Sequence, residues 1–380
     1  MNILDLPFEV LALIFKDLDS EKDKLHFALV HPLLGKAFSH HSRKKYQIID
    51  PLWVPLSHWP VILPLCGSTV NEFKGYLNDW GCSVLKLIED NCPNLETISL
   101  EVTQSNWHGV RSLLSRMRSL RSVEVGLDCR ACSGYREFLQ EFKSLQKLIL
   151  KSCPKEEIDW LKKLLNLEEL AVTPLSDSEP IDILEVCSAL PQLRSLTVTE
   201  MNVIIPHGFI VPPCPCLETL LVVNCRIPTV WPHFPQLKNL RIRHTRIATR
   251  QFLNQWVLQH SGTLEHLELL YLEEPLEETD VLQVIKRCVK LQFLSIVLGD
   301  SKLSETFVSS ILDMLQENGF KSEQPFELKV FKLDKFLEVR KLLAKCQNAG
   351  MLKVTTDYPA NPFDWKPPKQ VPSRTVFDPK

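Results

Sequence analysis

The residue types in this chain that could support chemistry are its cysteines. Cys129 and Cys132 form a Cys-x-x-Cys pair, and Cys214 and Cys216 form a closer pair about eighty residues further on. A structural zinc site needs four ligands, usually two such pairs at matched spacing, and these pairs do not match. No thioredoxin-like pattern surrounds Cys129 either. We therefore expect no metal ion and no redox-active disulfide.

The remaining cysteines indicate a reducing environment. The chain has 12 of them, spread rather than clustered. Asp5, Glu9 and Lys16 interrupt any apolar signal region at the start of the chain, so the sequence gives no reason to expect an oxidising compartment. No uncharged apolar run approaches the roughly 20 residues needed to cross a bilayer. We expect buried, free thiols in a protein of the cytoplasm, the nucleus or both, with no membrane partner.

Other catalytic and nucleic-acid signatures are also missing from the sequence. There is no glycine-rich phosphate loop and no Gly-x-Ser-x-Gly, and the chain has only 12 glycines. Lys and Arg total 44 against 46 Asp and Glu, so the basic excess typical of phosphate-backbone binding is missing. The sequence therefore predicts no cofactor, no nucleic-acid partner and no enzymatic activity. A cysteine-dependent enzyme is the alternative left open.

A repeated phrase indicates the elements that position the functional side chains. The phrase is an apolar residue, two residues of any kind, an apolar residue, one of any kind, and an apolar residue. Weaker copies, Val70-Phe73 and Leu328-Phe331-Leu333, flank the clear ones. The nine clear copies begin 20 to 27 residues apart, at Leu95, Leu120, Leu145, Leu167, Leu193, Leu217, Leu237, Leu264 and Leu291.

This repeat resembles the leucine-rich-repeat family over residues 66–355, as about ten to eleven repeats. The last two apolar positions of each phrase lie on one face of a short strand. Between the phrases, patterns such as Val84–Ile88 and Val281–Ile285 have helical spacing. Cys153 and Cys225 fit the Asn or Cys position of the family, but other copies differ, so the array is irregular. We expect an α/β solenoid of short parallel strands with helices on its convex side.

Residues 2–43 do not follow the repeat. Pro7 suits the first turn of a helix, and Asp5 stands where an N-cap could form. Two further helical patterns follow, through Leu25–Val30 and Leu33–Phe38. Three short helices in about 40 residues are near the limit for independent folding, so such a segment tends to leave apolar side chains for a partner.

The opening Leu6-Pro7-Phe8-Glu9-Val10-Leu11, with Ile14-Phe15 and Ala28-Leu29-Val30, resembles the F-box. The resemblance implies a three-helix F-box ahead of the repeats, bound to a Skp-type adaptor and through it to a cullin scaffold. The chain would then be the substrate-recognition subunit of a Skp–cullin–F-box ubiquitin ligase. The alternative is a leucine-rich-repeat scaffold whose N-terminal helices are only a cap. By position, the predicted adaptor-binding residues are Leu6, Pro7, Val10, Leu11, Ile14 and Phe15.

Two segments flank the predicted repeats. Residues 44–65 contain Trp53 and Trp59, which favour a linker packed on the solenoid. Residues 356–380 are rich in proline and contain Phe363 and Trp365. This tail is either disordered or an extended strap on the solenoid.

The target is expected to bind the strand positions that lie between the inward ones. Arg241 and Arg243 share a face there, and paired arginines suit acidic or phosphorylated groups. The competing interpretation is a solvated polar face with internal partners such as Glu218 or Glu268. The predicted target-binding residues are Leu221, Val223, Arg241, Arg243, His266 and Phe293.

Overall fold

The computed structural model describes residues 2–75, 82–127, 144–155, 158–176, 180–204, 214–227, 231–247, 252–253 and 256–356. The Cys129–Cys132 pair and residues 357–380 of the tail lie outside these ranges. The chain divides into two units, Met1–Thr229 and Val230–Lys380.

Three helices open the first unit: α1 (Phe8–Asp17), α2 (Glu21–Leu29) and α3 (Pro32–Ser42). The expected N-cap at Asp5 is wrong. Asp5 ends a 3-10 turn, and its carboxylate accepts from the Asn2 backbone N–H at 3.1 Å. Because Leu6 precedes a proline, its backbone is extended, and the helix starts only after Pro7, which occupies the N-cap.

Parallel strands follow the helices in the first unit, and neighbours pair in the order β1-β2-β3-β4-β5-β6-β8-β10. Two short strands, β7 and β9, form a separate parallel pair. The strands are β1 (Ile48–Ile49), β2 (Glu72–Gly75), β3 (Thr97–Val102), β4 (Ser122–Leu127), β5 (Lys147–Cys153), β6 (Glu169–Pro174), β7 (Pro180–Ile181), β8 (Ser195–Thr199), β9 (Asn202–Val203) and β10 (Thr219–Val223).

The register of this sheet follows from the repeated phrase. Ile98, Val123 and Leu148 align across β3, β4 and β5, so equivalent apolar positions stack in one inward row. All three apolar residues of each of the nine clear phrases are buried, which confirms the repeat. An isolated repeat would expose its apolar residues to water on both sides. Stacking against the neighbouring repeats buries these residues.

Helices connect several strands of the first unit: α4 (Trp59–Cys66), α5 (Cys82–Asn91), α6 (Trp107–Arg116) and α7 (Ile183–Ser188). The helical pattern at Val84–Ile88 is confirmed, since Leu85 and Ile88 are buried in α5. The segment interpreted as a linker, residues 44–65, contributes strand β1 and most of helix α4. Trp59 is fully buried there, and its indole N–H donates to the Val54 carbonyl at 2.9 Å.

The second unit continues the same architecture with five parallel strands in sequence order among its described residues. Its helix α8 buries Val281, Val284 and Ile285, which confirms the second helical pattern. The strands are β11 (Asn239–Arg243), β12 (His266–Leu270), β13 (Phe293–Ile296), β14 (Phe326–Val330) and β15 (Leu352–Thr355), and the helices are α8 (Glu278–Arg287), α9 (Phe307–Glu317) and α10 (Leu333–Leu343).

The weak copy predicted as Leu328-Phe331-Leu333 is out of register. Phe326, Leu328 and Val330 alternate as the buried face of β14, whereas Leu333 is exposed and begins α10. The strict alternation of apolar and polar residues over 326–330 has the period of a strand and was the better signal.

Candidate protein-binding surfaces

The N-terminal helices bury part of the predicted adaptor-binding set. Leu11 and Phe15 are fully buried, and Phe15 packs against the rings of Phe27 and Phe38 at 5.2 and 5.5 Å. The prediction that these two residues contact an adaptor is therefore wrong. They lie four residues apart on the face of α1 that the other two helices cover.

The other predicted adaptor residues remain accessible. Pro7 and Val10 are exposed, and Leu6 and Ile14 are half-buried. The sequence interpretation missed Leu13, which is 57% exposed, and Val30, which is 73% exposed. Val10 and Leu13 are three residues apart, so they share one face of α1. We call Ile3, Val10, Leu13, Leu29 and Val30 the exposed apolar set.

Glu21 fixes the N-terminal helices to the chain that enters β1. The Glu21 carboxylate accepts from the Lys45 ammonium and from the Tyr46 hydroxyl. Burial alone raises the pKa of Glu21, but the two hydrogen bonds together with the charges of Lys45 and Lys24 outweigh it, so the pKa is lowered. Burial and the bond to Glu21 raise the pKa of Tyr46. The helices thus have a defined attachment to the first strand.

Charged pairs cover the outward strand positions of the first unit. Lys147 and Glu169 approach to 2.7 Å, and Lys151 and Glu124 to 2.5 Å. Exposed pairs of this kind contribute about 0–1 kcal/mol each to the free energy of unfolding, so they cover this face but add little to its stability. Leu221 and Val223, predicted to bind the target, are half-buried on β10 and interrupt this charge pattern with apolar surface.

The two arginines of the predicted pair differ in their contacts. Arg241 is exposed, whereas the Arg243 guanidinium donates to the carboxylate of Glu268, as in the competing polar-face interpretation. This contact is diagonal, because Glu268 lies opposite Arg241 and Leu270 lies opposite Arg243. The Arg243 side chain is still 42% exposed, so target binding by the pair stays a prediction.

His266 and Phe293 are neighbours on β12 and β13, with ring centroids 5.9 Å apart. Among the described residues, His266 Nδ1 and the hydroxyl of Ser295 have no hydrogen-bond partner although both atoms are buried. Such atoms carry a desolvation cost, so this face holds unused hydrogen-bonding capacity. His266 and Phe293 thus lie side by side on adjacent strands, and target binding there stays a prediction.

Aromatic rings cross the carboxyl ends of the strands in the second unit, and the sequence interpretation missed them. The rings of His244 and Tyr271 stack at 4.5 Å with an interplanar angle of 9°. Phe331 lies edge-on to Tyr271 at 6.2 Å, and the Lys329 ammonium is 5.2 Å from the Phe331 ring. We call His244, Tyr271 and Phe331 the ring strip. His244 and Tyr271 lie outside the repeated phrases, and Phe331 was assigned to a weak copy, so repeat analysis does not bring the three rings together.

A cleft of about 680 Å³ lies at the opposite edge of the second unit, beside the chain that enters β13 and β14. Its lining mixes both charges with the half-exposed Val289, and it brings no predicted site residue together.

The described cysteines are free and mostly buried, as expected. Burial raises the pKa of Cys66, Cys92, Cys214 and Cys288 to about 12 in each case. A thiol with a raised pKa is a poor nucleophile at neutral pH. Within the described ranges no cluster of His, Cys, Asp or Glu could hold a metal ion. No helix in that part of the chain has the length and apolar character needed to cross a membrane.

No protein-family model matches the chain, and no curated protein is similar to it. Among solved structures, an internalin of Listeria monocytogenes is 14% identical over 79% of this chain and 76% of its own, with a TM-score of 0.46. The Rad7–Elc1 complex of yeast is 13% identical over 85% and 90%, with a TM-score of 0.42. The leucine-rich-repeat ectodomain of the Arabidopsis thaliana membrane receptor kinase GASSHO1/SCHENGEN3, in complex with CASPARIAN STRIP INTEGRITY FACTOR 2, is 16% identical over 69% and 29%, with a TM-score of 0.39.

The fold assignment rests on this chain's own features. Phrase spacing, the burial of every clear phrase residue and the parallel register within each unit define an irregular α/β leucine-rich-repeat solenoid preceded by three helices.

Proposed function

We propose that this protein is the substrate-recognition subunit of a Skp–cullin–F-box ubiquitin ligase. The observation that carries the proposal is the exposed apolar set on helices whose opening sequence resembles the F-box. A small helical segment rarely leaves several aliphatic side chains in water without a partner for them. Val30, at 73% exposure directly after α2, is the extreme case.

The chemistry of the set suits a protein partner. Val10, Leu13 and Val30 are aliphatic and carry no charge, so an apolar groove on the adaptor would bury them without desolvating ions. Each buried aliphatic side chain contributes roughly 1.5–3 kcal/mol in gross terms, of which only the surplus over association costs appears as affinity. Leu11 and Phe15 take a different part: they hold the three helices together.

A purely structural use of the helices is the second candidate. It is favoured by the bonds from Lys45 and Tyr46 to Glu21 and by the packing of α3 on α4, which together make the helices a cover for the first strand and helix of the repeats. Under this candidate the protein is a leucine-rich-repeat scaffold, and ubiquitin transfer plays no part. The two candidates differ in whether an adaptor binds.

Co-expression with a Skp-type adaptor separates the candidates. We expect a one-to-one complex with the natural chain and a loss of affinity of about 100-fold when Val10→Ser, Leu13→Ser and Val30→Ser are combined. The matched control is Leu165→Ser, which removes a leucine that is 56% exposed outside the N-terminal helices and should leave the complex intact. A folded natural chain that fails to bind the adaptor favours the scaffold.

A further inference from the structure

Two residues of the ring strip have a backbone conformation that is strained for most residues with a side chain. His244 has a backbone φ of 49° and Tyr271 a φ of 52°, both in the left-handed region. For residues other than glycine this region costs roughly 1–2 kcal/mol, and asparagine tolerates it best among the others. Asn224, at the end of β10, occupies the same conformation with φ 53°. Histidine is among the residue types found there more often, whereas tyrosine is an unfavourable choice at position 271 unless its ring is used.

The left-handed backbone of His244 and Tyr271 places their rings together at the surface. Tyr271 is 51% exposed even though His244 stacks on it and Phe331 packs edge-on to it. Strained residues that present exposed aromatic groups mark sites of recognition more often than sites of packing. His244 is exposed as well, so the strip leaves the solvent-facing edges of its packed rings at the surface.

The end of the described chain lies beside this strip. Strand β15 pairs with β14, where Thr355 is opposite Lys329, so the chain leaves the sheet at the edge that carries Phe331. At about 4.8 Å per strand, the end of β12 is roughly 14 Å from β15 and the end of β11 roughly 19 Å. Residues 357–380 continue from this point.

The sequence of that continuation suits an aromatic surface. Pro359-Ala360-Asn361-Pro362 is a Pro-x-x-Pro segment, flanked by Tyr358 and Phe363. Extended proline-rich chain rises about 3.1 Å per residue, so Tyr358 to Phe363 spans about 15 Å, enough for the roughly 14 Å from the end of β14 to the end of β11. Pro-x-x-Pro segments bind grooves lined by aromatic side chains because they lose little conformational entropy on binding. Lys366, a few residues on, has the charge that complements the exposed Glu273 beyond Tyr271.

We propose that residues 358–365 of this chain dock on the ring strip of their own second unit, running back across the carboxyl ends of β14, β13, β12 and β11. The prolines and Phe363 pack on the solvent-facing parts of Phe331, Tyr271 and His244. The tail is then an intramolecular ligand of the repeat edge next to the exposed strand face. This proposal does not depend on adaptor binding.

Photo-cross-linking in the full chain tests the docking directly. Benzoylphenylalanine replaces Phe363, and cross-linked peptides are identified by mass spectrometry. We expect cross-links within one chain to the peptides that contain Tyr271 and His244. Tyr271→Asn should lower their yield by about fivefold or more, because it removes the central ring. The asparagine suits the left-handed backbone, so this variant is expected to fold.

Two variants control the experiment. Tyr271→Phe keeps the ring and should keep the cross-links. Leu337→Asn changes a leucine that is 56% exposed on α10 of the same unit and should also keep them. Cross-links that map to other surfaces, that persist at full yield in Tyr271→Asn, or that join two chains and grow with protein concentration would overturn the proposal.

Discussion

His260 is the residue whose protonation matters most for the second unit. Its side chain is buried, its Nε2 accepts from the Phe234 backbone N–H at 2.8 Å, and its Nδ1 lies 2.9 Å from the Trp256 carbonyl oxygen. Burial lowers the pKa to about 4 from the ordinary 6.5, the Trp256 carbonyl opposes this, and nearby His233 adds to it. A second proton would occupy the lone pair that accepts from Phe234.

Acidification should therefore destabilise the protein through His260. The unfolded chain binds this proton at a higher pH than the folded chain does. The contribution of neutral His260 to the free energy of unfolding is therefore fully present above a pH of about 6.5 and is lost as the pH falls towards about 4. From about pH 7.5 to about pH 5 we expect the free energy of unfolding to fall by about 2 kcal/mol from this residue alone. Urea titrations at the two pH values measure the change.

His260→Gln provides the comparison, because its amide oxygen still accepts from Phe234 but does not titrate. The variant should be less sensitive to acid than the natural chain by the same amount. Equal pH dependence in the two proteins would show that His260 is not the cause.

For individual residues, the sequence predicted the chemical state of the side chains better than their exposure to solvent. It indicated free buried thiols and the alternation of inward and outward strand residues, since both follow from residue type and period. It did not separate Leu11 and Phe15 from Leu13, because all three fit the apolar character of α1. Which face of a short helix is covered depends on the helices beside it, Phe27 and Phe38 in this case.

At the scale of elements, left-handed residues close several strands. Ser152, Glu200, Asn224, His244 and Tyr271 all have φ between 49° and 56°, directly after or at the end of their strands. The turn out of each strand imposes this conformation, and of these five residues only Asn224 and His244 are of types that adopt it comparatively often. Periodicity does not reveal a backbone angle, so these positions could not be predicted from the sequence.

Glu200→Gly should stabilise the protein. Glu200 is exposed after β8 and has φ 55°, so glycine removes left-handed strain at a position with little packing to lose. The greater flexibility of glycine in the unfolded chain opposes this gain. We therefore expect the free energy of unfolding to increase by up to about 1 kcal/mol. Denaturant unfolding monitored by circular dichroism measures the difference.

Thr199→Gly, one residue earlier and inside β8, is the matched control. It has no such strain to relieve and should destabilise the protein by roughly 0.5–1 kcal/mol. A destabilising effect of Glu200→Gly as large as that of Thr199→Gly would contradict the strain argument.

For the whole molecule, the repeat period alone predicted the fold class. Nine phrases at leucine-rich-repeat spacing require stacked parallel strands, because no single repeat can bury its apolar row. The division at Thr229 and Val230, the strand in residues 44–65 and the register of β14 were not predicted. Each depends on contacts that are distant in sequence or on a phrase too degenerate to place.

The candidate sites were predicted in part for the same reason. The F-box-like opening located the helices. The strand positions between the inward ones are not all exposed, since Glu268 and Ser295 are buried. The sequence offered both Glu218 and Glu268 as internal partners for the arginine pair, and the structure shows that Glu268 binds Arg243. The ring strip could not be predicted, because it depends on the backbone angles of His244 and Tyr271 and on the placement of three strands. A pattern of residue types reveals neither.

Hydrogen–deuterium exchange of the full chain, alone and saturated with a Skp-type adaptor, tests the central claim most directly. Adaptor binding through the exposed apolar set predicts slower amide exchange in α1, α2, Val30 and His31 when the adaptor is present. It predicts unchanged exchange in β11 to β14, which stay available for a target. Unchanged exchange in the N-terminal helices, or protection confined to the strands of the second unit, would contradict adaptor binding through the exposed apolar set.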